Sequence, residues 1–485
     1  MKAVLVLMDS LNRHFLPAYG NDWVIAPHLD RFAASSVRFD GHFIGSAPCM
    51  PARRDILTGR LNFLERGWGG IEPFDRCFTE RLSADGVFTH LVTDHYHYVQ
   101  VGGENYHCTY DTWELLRGQE MDKWASQVDR TAEPPHLGIW REQYARNRTR
   151  FEREEDYPSP ATFASAIDWV RTNGRSDNWF LQVEVFDPHE PFDCPREYLD
   201  LYEDEWDGPE FIWPVYGPED LDPDALRHIR RQYAAVLTMT DRWFGRLLDE
   251  LERQGCLDDT LIIVTTDHGH MLGEHGLMAK NYMHAYDELA HIPLLVRLPG
   301  GAHGGETRAQ VTQNIDLAPT LLEHYGLRWE HPIHGVSWWP CLRDAGAPAR
   351  AHALYGWHGM AVNVTDGRYA YLRAPAHEDN QPLYQYGCMA ANYDRYWPRE
   401  AFASIEAGHF LPYTDMPVFR MPERRPRSEH VRETLLYDRQ EDPRQERNLA
   451  GSALEERYVA LLREAMAAAD APPEQYRRLG LRPPA

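Results

Sequence analysis

The chain runs to 485 residues, 43% hydrophobic and 26% charged, the make-up of a globular protein too long for one small core. Its formal net charge of −24 argues against nucleic acid and anionic membranes as partners, although a metal and a few local cations can still receive a small anion in a pocket. Seven scattered cysteines without a C-x-x-C pair argue against a disulfide framework and for a reducing compartment.

Residues 3–8 form an apolar run that is too short for a secretory leader, has no small-residue cleavage site and ends on Asp9. It reads as a strand covered on both faces. No apolar run reaches bilayer length, so the expected location is the cytoplasm. Asp9 stands at the strand's carboxyl end, the edge where open α/β sheets hold ligands, although a strand-end aspartate also serves as a cap or turn residue. Residues 36–39 read as another strand, leading to Cys49-Met50-Pro51-Ala52-Arg53. Pro51 suits a helix's first turn, Ile56 and Leu57 continue it, and Gly59 ends it. Cys49 thus lies just before a helix N-terminus that favours an anion, with the Arg53 guanidinium one turn on. For an arbitrary C-x-P-x-R, a buried structural cysteine is the better explanation.

Residues 86–93 read as a strand ending in Asp94-His95-Tyr96-His97, and residues 100–160 carry no motif. A helix is expected at 163–170, then a strand from 178 leading into the turn Asp187-Pro188-His189-Glu190-Pro191-Phe192. Val236, Phe244, Leu247, Leu248 and Leu251 recur at helical spacing as a core stripe, stopped by Gly255. Residues 261–266 are a second fully buried strand, again followed by acid in Asp267-His268-Gly269. Only three of the fifty basic residues are lysines, so Lys280 just downstream stands out. Its compact ammonium can hold a transferring oxygen, although a solvated lysine is the plainer alternative. After about residue 350 the pattern changes. Asp366-Gly367 signals a hairpin, residues 436–438 a closing strand, and Ser452 with Glu455 a capping box for a last helix through Met466. Residues 420–427, rich in Pro and Arg, read as an exposed loop. The expected division is a catalytic α/β domain over 1–350 and a smaller subdomain over 351–485.

The longer string C-M-P-A-R-R-D-I-L-T-G-R, together with Met8-Asp9-Ser10-Leu11, Asp267-His268-Gly269, Lys280 and Leu436-Tyr437-Asp438, resembles the type I, formylglycine-dependent sulfatases of the alkaline-phosphatase superfamily. The likeness runs from residue 4 to residue 450. It implies an alkaline-phosphatase-like α/β fold, with a mostly parallel sheet sandwiched by helices and a smaller C-terminal antiparallel subdomain. It implies that a formylglycine-generating enzyme oxidises Cys49 to formylglycine, whose hydrated aldehyde is the nucleophile. Asp9, Asp267, His268 and the modified Cys49 would hold one divalent metal, and Arg53 would anchor the modified side chain. Lys280 and His189 would steady or protonate the leaving group, while His95 and His97 would line the substrate pocket where many members carry Lys-x-His. The chain departs from the pattern at Ala52, usually serine, and at Ser10, commonly a second carboxylate. An imidazole ligand favours Mn²⁺, and the oxygen ligands keep Ca²⁺ in play.

The implied activity is a sulfuric ester hydrolase of the arylsulfatase kind, acting on a small-molecule sulfate ester. The nearest alternative is a phosphonate monoester or phosphodiester hydrolase of the same superfamily. Ser10 tilts toward it, and Gly70, where such enzymes place an asparagine, tilts away. A non-catalytic binding protein with unmodified Cys49 is disfavoured by the retention of Cys49, Arg53, Lys280 and all three metal ligands. No residue specifies the natural substrate, and self-association into a homo-oligomer is left open.

Overall fold

Every residue of β1 (Lys2–Met8) is buried, because helical layers cover both of its faces. In the computed structural model, which describes residues 1–393, 395–423 and 428–484, β1 lies inside an eight-stranded sheet. Its companions are β2 (Val37–Phe43), β3 (Phe88–Thr93), β4 (Thr112–Leu115), β5 (Trp179–Val185), β6 (Thr260–Thr265), β7 (Leu294–Arg297) and β8 (Thr307–Gln313). The strand order is β8-β2-β7-β6-β1-β5-β3-β4. All pairings are parallel except those of β7, which is antiparallel to β2 and β6.

The alternation of side chains along β1 splits the core in two. Ala3, Leu5 and Leu7 pack with Leu57 of α1 (Cys49–Thr58) and with Leu317 and Leu321, while Val4, Val6 and Met8 face the layer of α2 (Pro158–Asn173) and α3 (Pro223–Arg253). Each fully buried aliphatic side chain contributes about 1.5–3 kcal/mol. The helix expected at 163–170 is the middle of the longer α2. The side chain of Asp222 caps α3 by accepting from the N–H groups of Asp224 and Ala225. The expected stripe from Val236 to Leu251 is buried along α3, and Gly255 just beyond it adopts φ 71°.

A second sheet is antiparallel, in the order β12-β11-β10-β9: β9 (Ala353–Trp357), β10 (Val362–Thr365), β11 (Tyr369–Arg373) and β12 (Leu435–Asp438). Gly367, at φ 93°, turns the expected hairpin between β10 and β11. The short strand Ser46–Ala47 pairs in parallel with Gly356 and Trp357 on the free edge of β9. The smaller sheet therefore braces the residues directly ahead of Cys49.

Two sequence expectations about this region are corrected. Ser452 does not cap the last long helix, α4 (Glu455–Ala468), whose N-cap is Leu454 without a side-chain bond. Ser452 is spent in a turn, its N–H donating to the Leu449 carbonyl, and the Glu455 carboxylate accepts instead from the Gly451 N–H at 2.6 Å. A further helix, Pro473–Arg478, follows. Within the expected loop 420–427, Arg420 belongs to the strand Val418–Pro422, where its guanidinium packs over Phe410 at 4.5 Å; residues 424–427 lie outside the described residues.

Among the described residues no helix is long and apolar enough to cross a membrane. The consequence for function is geometric. Strands β6, β1, β5 and β3 are neighbours and run parallel, so the residues after each of them collect at one edge of the sheet.

Candidate active site

Cys49 is the first residue of α1 rather than the residue before it, with Pro48 as N-cap. Asp55, one and a half turns on, ties this helix to the preceding loop. Its carboxylate accepts from the Ser46 hydroxyl at 2.8 Å and from the Asn62 amide at 2.6 Å. Burial pushes the Asp55 carboxyl up to about 7. Gly59 ends the helix at φ 66°, as its position in the sequence predicts.

The loops after β1 and β6 are cross-braced. The Ser10 N–H donates to Asp267 Oδ1 at 3.2 Å, and the Leu11 N–H donates to Thr266 Oγ1 at 3.1 Å. Tyr233 of α3 donates its hydroxyl to the Ser10 carbonyl at 2.9 Å, and the Asn314 amide donates to the carbonyls of Thr266 and Asp267. Asp9, Asp267 and His268 are thereby fixed around the Cys49 sulfur. Sγ lies 3.3 Å from His268 Nε2 and 3.9 Å from Asp9 Oδ1, and all four residues are buried.

Arg53 holds the carboxylates together. Its Nη2 donates to Asp9 at 2.9 Å, its Nη1 to Asp267 at 2.6 Å and to the Cys49 carbonyl at 3.1 Å, and its Nε to Glu184. Burial raises the Asp9 carboxyl, but Arg53, His189 and Lys280 outweigh it and hold the group well below its ordinary value. Lys280 is buried, not solvated. Its ammonium donates to Ser10 Oγ at 2.8 Å and lies 3.9 Å from Asp9 Oδ1. The Ser10 hydroxyl donates in turn to Asp9 at 2.8 Å. Serine at the place of a second carboxylate thus relays the lysine to the first.

The donor set fits a divalent cation. Asp9, Cys49, Asp267 and His268 each offer one ligand atom, all within 4.8 Å of one another. His268 Nδ1 sits 2.8 Å from the Gly269 carbonyl, which takes its proton and leaves the Nε2 lone pair facing the cluster. Burial pulls the His268 imidazole down to about 4, so it is neutral, as a ligand must be, at ordinary pH. Burial first, and then Asp9, push the Cys49 thiol well above its ordinary value.

Of the other predicted residues, only His95 lies against this cluster. His95 is fully buried with Nε2 3.8 Å from Asp9 Oδ2, and neither of its ring nitrogens has a hydrogen-bond partner. Burial and Arg53 keep it neutral. His97 and His189 do not bond to the nucleophile cluster. His97 Nδ1 lies 2.6 Å from Gln100 Oε1 and its Nε2 lies 3.7 Å from Glu120. His189 Nδ1 lies 2.5 Å from the Glu190 carbonyl and 3.5 Å from Glu120 Oε1.

Two contributors had no place in the sequence reading. Glu184 sits within β5, whose full burial only the structure shows. Glu120 comes from the stretch 100–160, which has neither period nor motif, and nothing in the sequence marked it.

A sequence model of the sulfatase family matches residues 2–327. The choline-sulfatase of Rhizobium meliloti (strain 1021) is 27% identical over 416 residues, which cover 76% of this chain and 77% of that protein. The N-acetylglucosamine-6-O-sulfatase of Bacteroides thetaiotaomicron is 25% identical over 405 residues, 71% of each chain. The phosphonate monoester hydrolase of Agrobacterium radiobacter superposes with a TM-score of 0.70 at 20% identity, covering 96% of each chain, a likeness of fold.

Proposed function

This chain belongs to the sulfatase family and is a sulfuric ester hydrolase, and from that premise we propose that it cleaves a small-molecule sulfate ester with a formylglycine made from Cys49 and one divalent metal. The observation that carries the reading is the buried cluster of Asp9, Cys49, Asp267 and His268 clasped by the Arg53 fork.

Asp9, Asp267 and His268 Nε2 would hold the cation beside residue 49. A cation held there would supply Lewis-acid chemistry, favouring ionisation of a hydroxyl on the hydrated aldehyde at residue 49 and offsetting charge on the ester oxygens. The imidazole favours Mn²⁺ and the oxygens admit Ca²⁺. Everything else is done by side chains already in place. Arg53 stays charged among three carboxylates and fixes the start of α1 through the Cys49 carbonyl. Lys280, drawn to Ser10 and Asp9, presents a point charge to a non-bridging oxygen of the ester. His189, its Nδ1–H held by the Glu190 carbonyl, presents Nε2 to the departing alcohol, to which the imidazolium form gives its Nε2 proton and becomes neutral.

The choline-sulfatase and N-acetylglucosamine-6-O-sulfatase relatives support a sulfate ester as substrate. A phosphonate ester is the second reading, favoured by Ser10 in place of a carboxylate. Against it, a side chain at Gly70 would place its Cβ 2.8 Å from the Glu104 carbonyl oxygen, so no asparagine fits there without a backbone shift. Rates on the sulfate and the phenylphosphonate esters of 4-nitrophenol decide between them. The expected result is a higher kcat/KM for the sulfate, and a higher value for the phosphonate would reverse the assignment.

A further inference from the structure

Lys280 reaches Ser10 and Asp9 from a stretch of backbone whose own preferences oppose its course. Ala279, the residue before it, ends the short strand Leu277–Ala279 and pairs there with Met271. The lysine then sits between two left-handed residues, Ala279 at φ 66° and Asn281 at φ 77°. Alanine seldom adopts that conformation, so contacts from elsewhere in the fold must hold the turn.

Those contacts come from the smaller sheet. The indole N–H of Trp357, at the end of β9, donates to Asn281 Oδ1 at 2.9 Å. Trp357 is itself buried, in one apolar cluster with Ile44, Ala47, Met271 and Met283. Its backbone lies opposite Ala47 in the parallel pairing of β9 with Ser46–Ala47, just ahead of Cys49. Farther along the Lys280 segment, Arg439, the residue after β12, donates its Nε to both oxygens of Asp287 at 2.8 and 2.7 Å. One residue therefore serves the approach to both ends of the chemistry. The main chain of Trp357 flanks the lead into Cys49, and its indole ties down the turn that carries Lys280.

The geometry points to Trp357 as a positioning residue for catalysis: its bond to Asn281 holds the left-handed turn that aims Lys280 at the ester. The inference rests on the reading of Lys280 as the charge offered to a non-bridging oxygen, and it adds what keeps that charge in place. It also gives the smaller sheet a part in the reaction, although Asp9, Cys49, Asp267, His268 and Lys280 all belong to the larger domain.

The test is a double-mutant cycle on the metal-loaded enzyme, read as kcat/KM for 4-nitrophenyl sulfate. Trp357→Phe keeps a ring in the apolar cluster and removes the donor; it should lower kcat/KM about tenfold. Asn281→Gly removes the acceptor at a φ that glycine adopts freely, and should lower kcat/KM by a similar factor. Asn281→Asp keeps an acceptor there and should stay within about threefold of the wild type. In a Lys280→Ala background, Trp357→Phe should lower kcat/KM by less than about twofold, whereas a general loss of packing would act in full. An undiminished effect in that background, or wild-type kinetics in both Trp357→Phe and Asn281→Gly, would overturn the inference. Hydrogen–deuterium exchange over residues 277–285 reads the turn without turnover. It should quicken in Trp357→Phe and in Asn281→Gly, with the peptides of β1 and β6 unchanged. If exchange quickens while Lys280→Ala leaves turnover intact, the reading of the reaction fails and the hold on the turn stands; unaltered exchange in both variants overturns the hold itself.

Discussion

Around Cys49 charged side chains bond to one another: Arg53 reaches three carboxylates and a carbonyl, and Lys280 reaches Ser10. Neither ring nitrogen of His95, nor one oxygen of Glu190, has a hydrogen-bond partner. A buried polar atom left unpaired costs about 1–3 kcal/mol. The first region is held together by its own ion pairs. The second leaves polar atoms without hydrogen-bond partners. The difference separates residues whose loss unfolds the site from residues whose loss merely disables it.

The largest expected effect falls on the scaffold. Arg53→Lys keeps the charge but loses the fork that serves Asp9, Asp267 and Glu184 together. Leaving buried carboxylates uncompensated should cost about 3–5 kcal/mol of stability in urea unfolding, with hydrolysis falling alongside. A loss under about 1 kcal/mol would show that the three ion pairs are not what holds the site. Chelation comes next. Stripping the metal from enzyme equilibrated at 100 to 1,000 times its dissociation constant should remove about 3–4 kcal/mol of apparent stability, read as a lower melting temperature. A melting temperature indifferent to the chelator would break the assignment of Asp9, Asp267 and His268 as ligands.

The smallest effect on folding is expected across the site. His95→Phe keeps a ring against Phe186 and Tyr98, whose centroids lie 4.9 and 5.0 Å from that of His95, and removes two unpartnered nitrogens. Stability should hold or rise by about 1 kcal/mol while kcat/KM drops. Destabilisation by more than about 2 kcal/mol would mean that His95 belongs to the scaffold, and the comparison between the two regions would fail.

The same contrast governs what could be read in advance. Asp9 and Asp267 were legible because each follows a run of apolar residues that only a doubly covered strand explains, and parallel neighbours deliver both to one edge. Cys49 and Arg53 share one helix turn, so their relation is local. Lys280 was visible through its rarity in an arginine-rich chain. Glu184 was hidden because a polar residue in a strand reads first as a solvent-facing position, and only the full burial of β5 shows otherwise. Glu120 was not legible at all. Its place depends on Arg117, Asp122 and Asn147 folding one loop back over the site, a tertiary arrangement with no sequence period. The failed capping box at Ser452 has a local cause, since the turn ahead of α4 claims the serine's backbone first.

The central claim is that residue 49 acts as an aldehyde. Burial and Asp9 hold an unconverted thiol well above its ordinary pKa, a poor starting point for a thiolate nucleophile. The measurement that bears on this most directly is mass spectrometry of the peptide containing residue 49, from enzyme coexpressed with a formylglycine-generating enzyme, read beside its turnover of 4-nitrophenyl sulfate. An aldehyde at residue 49 whose occupancy tracks activity across preparations is the predicted result. Full turnover by protein whose Cys49 thiol is intact would contradict it.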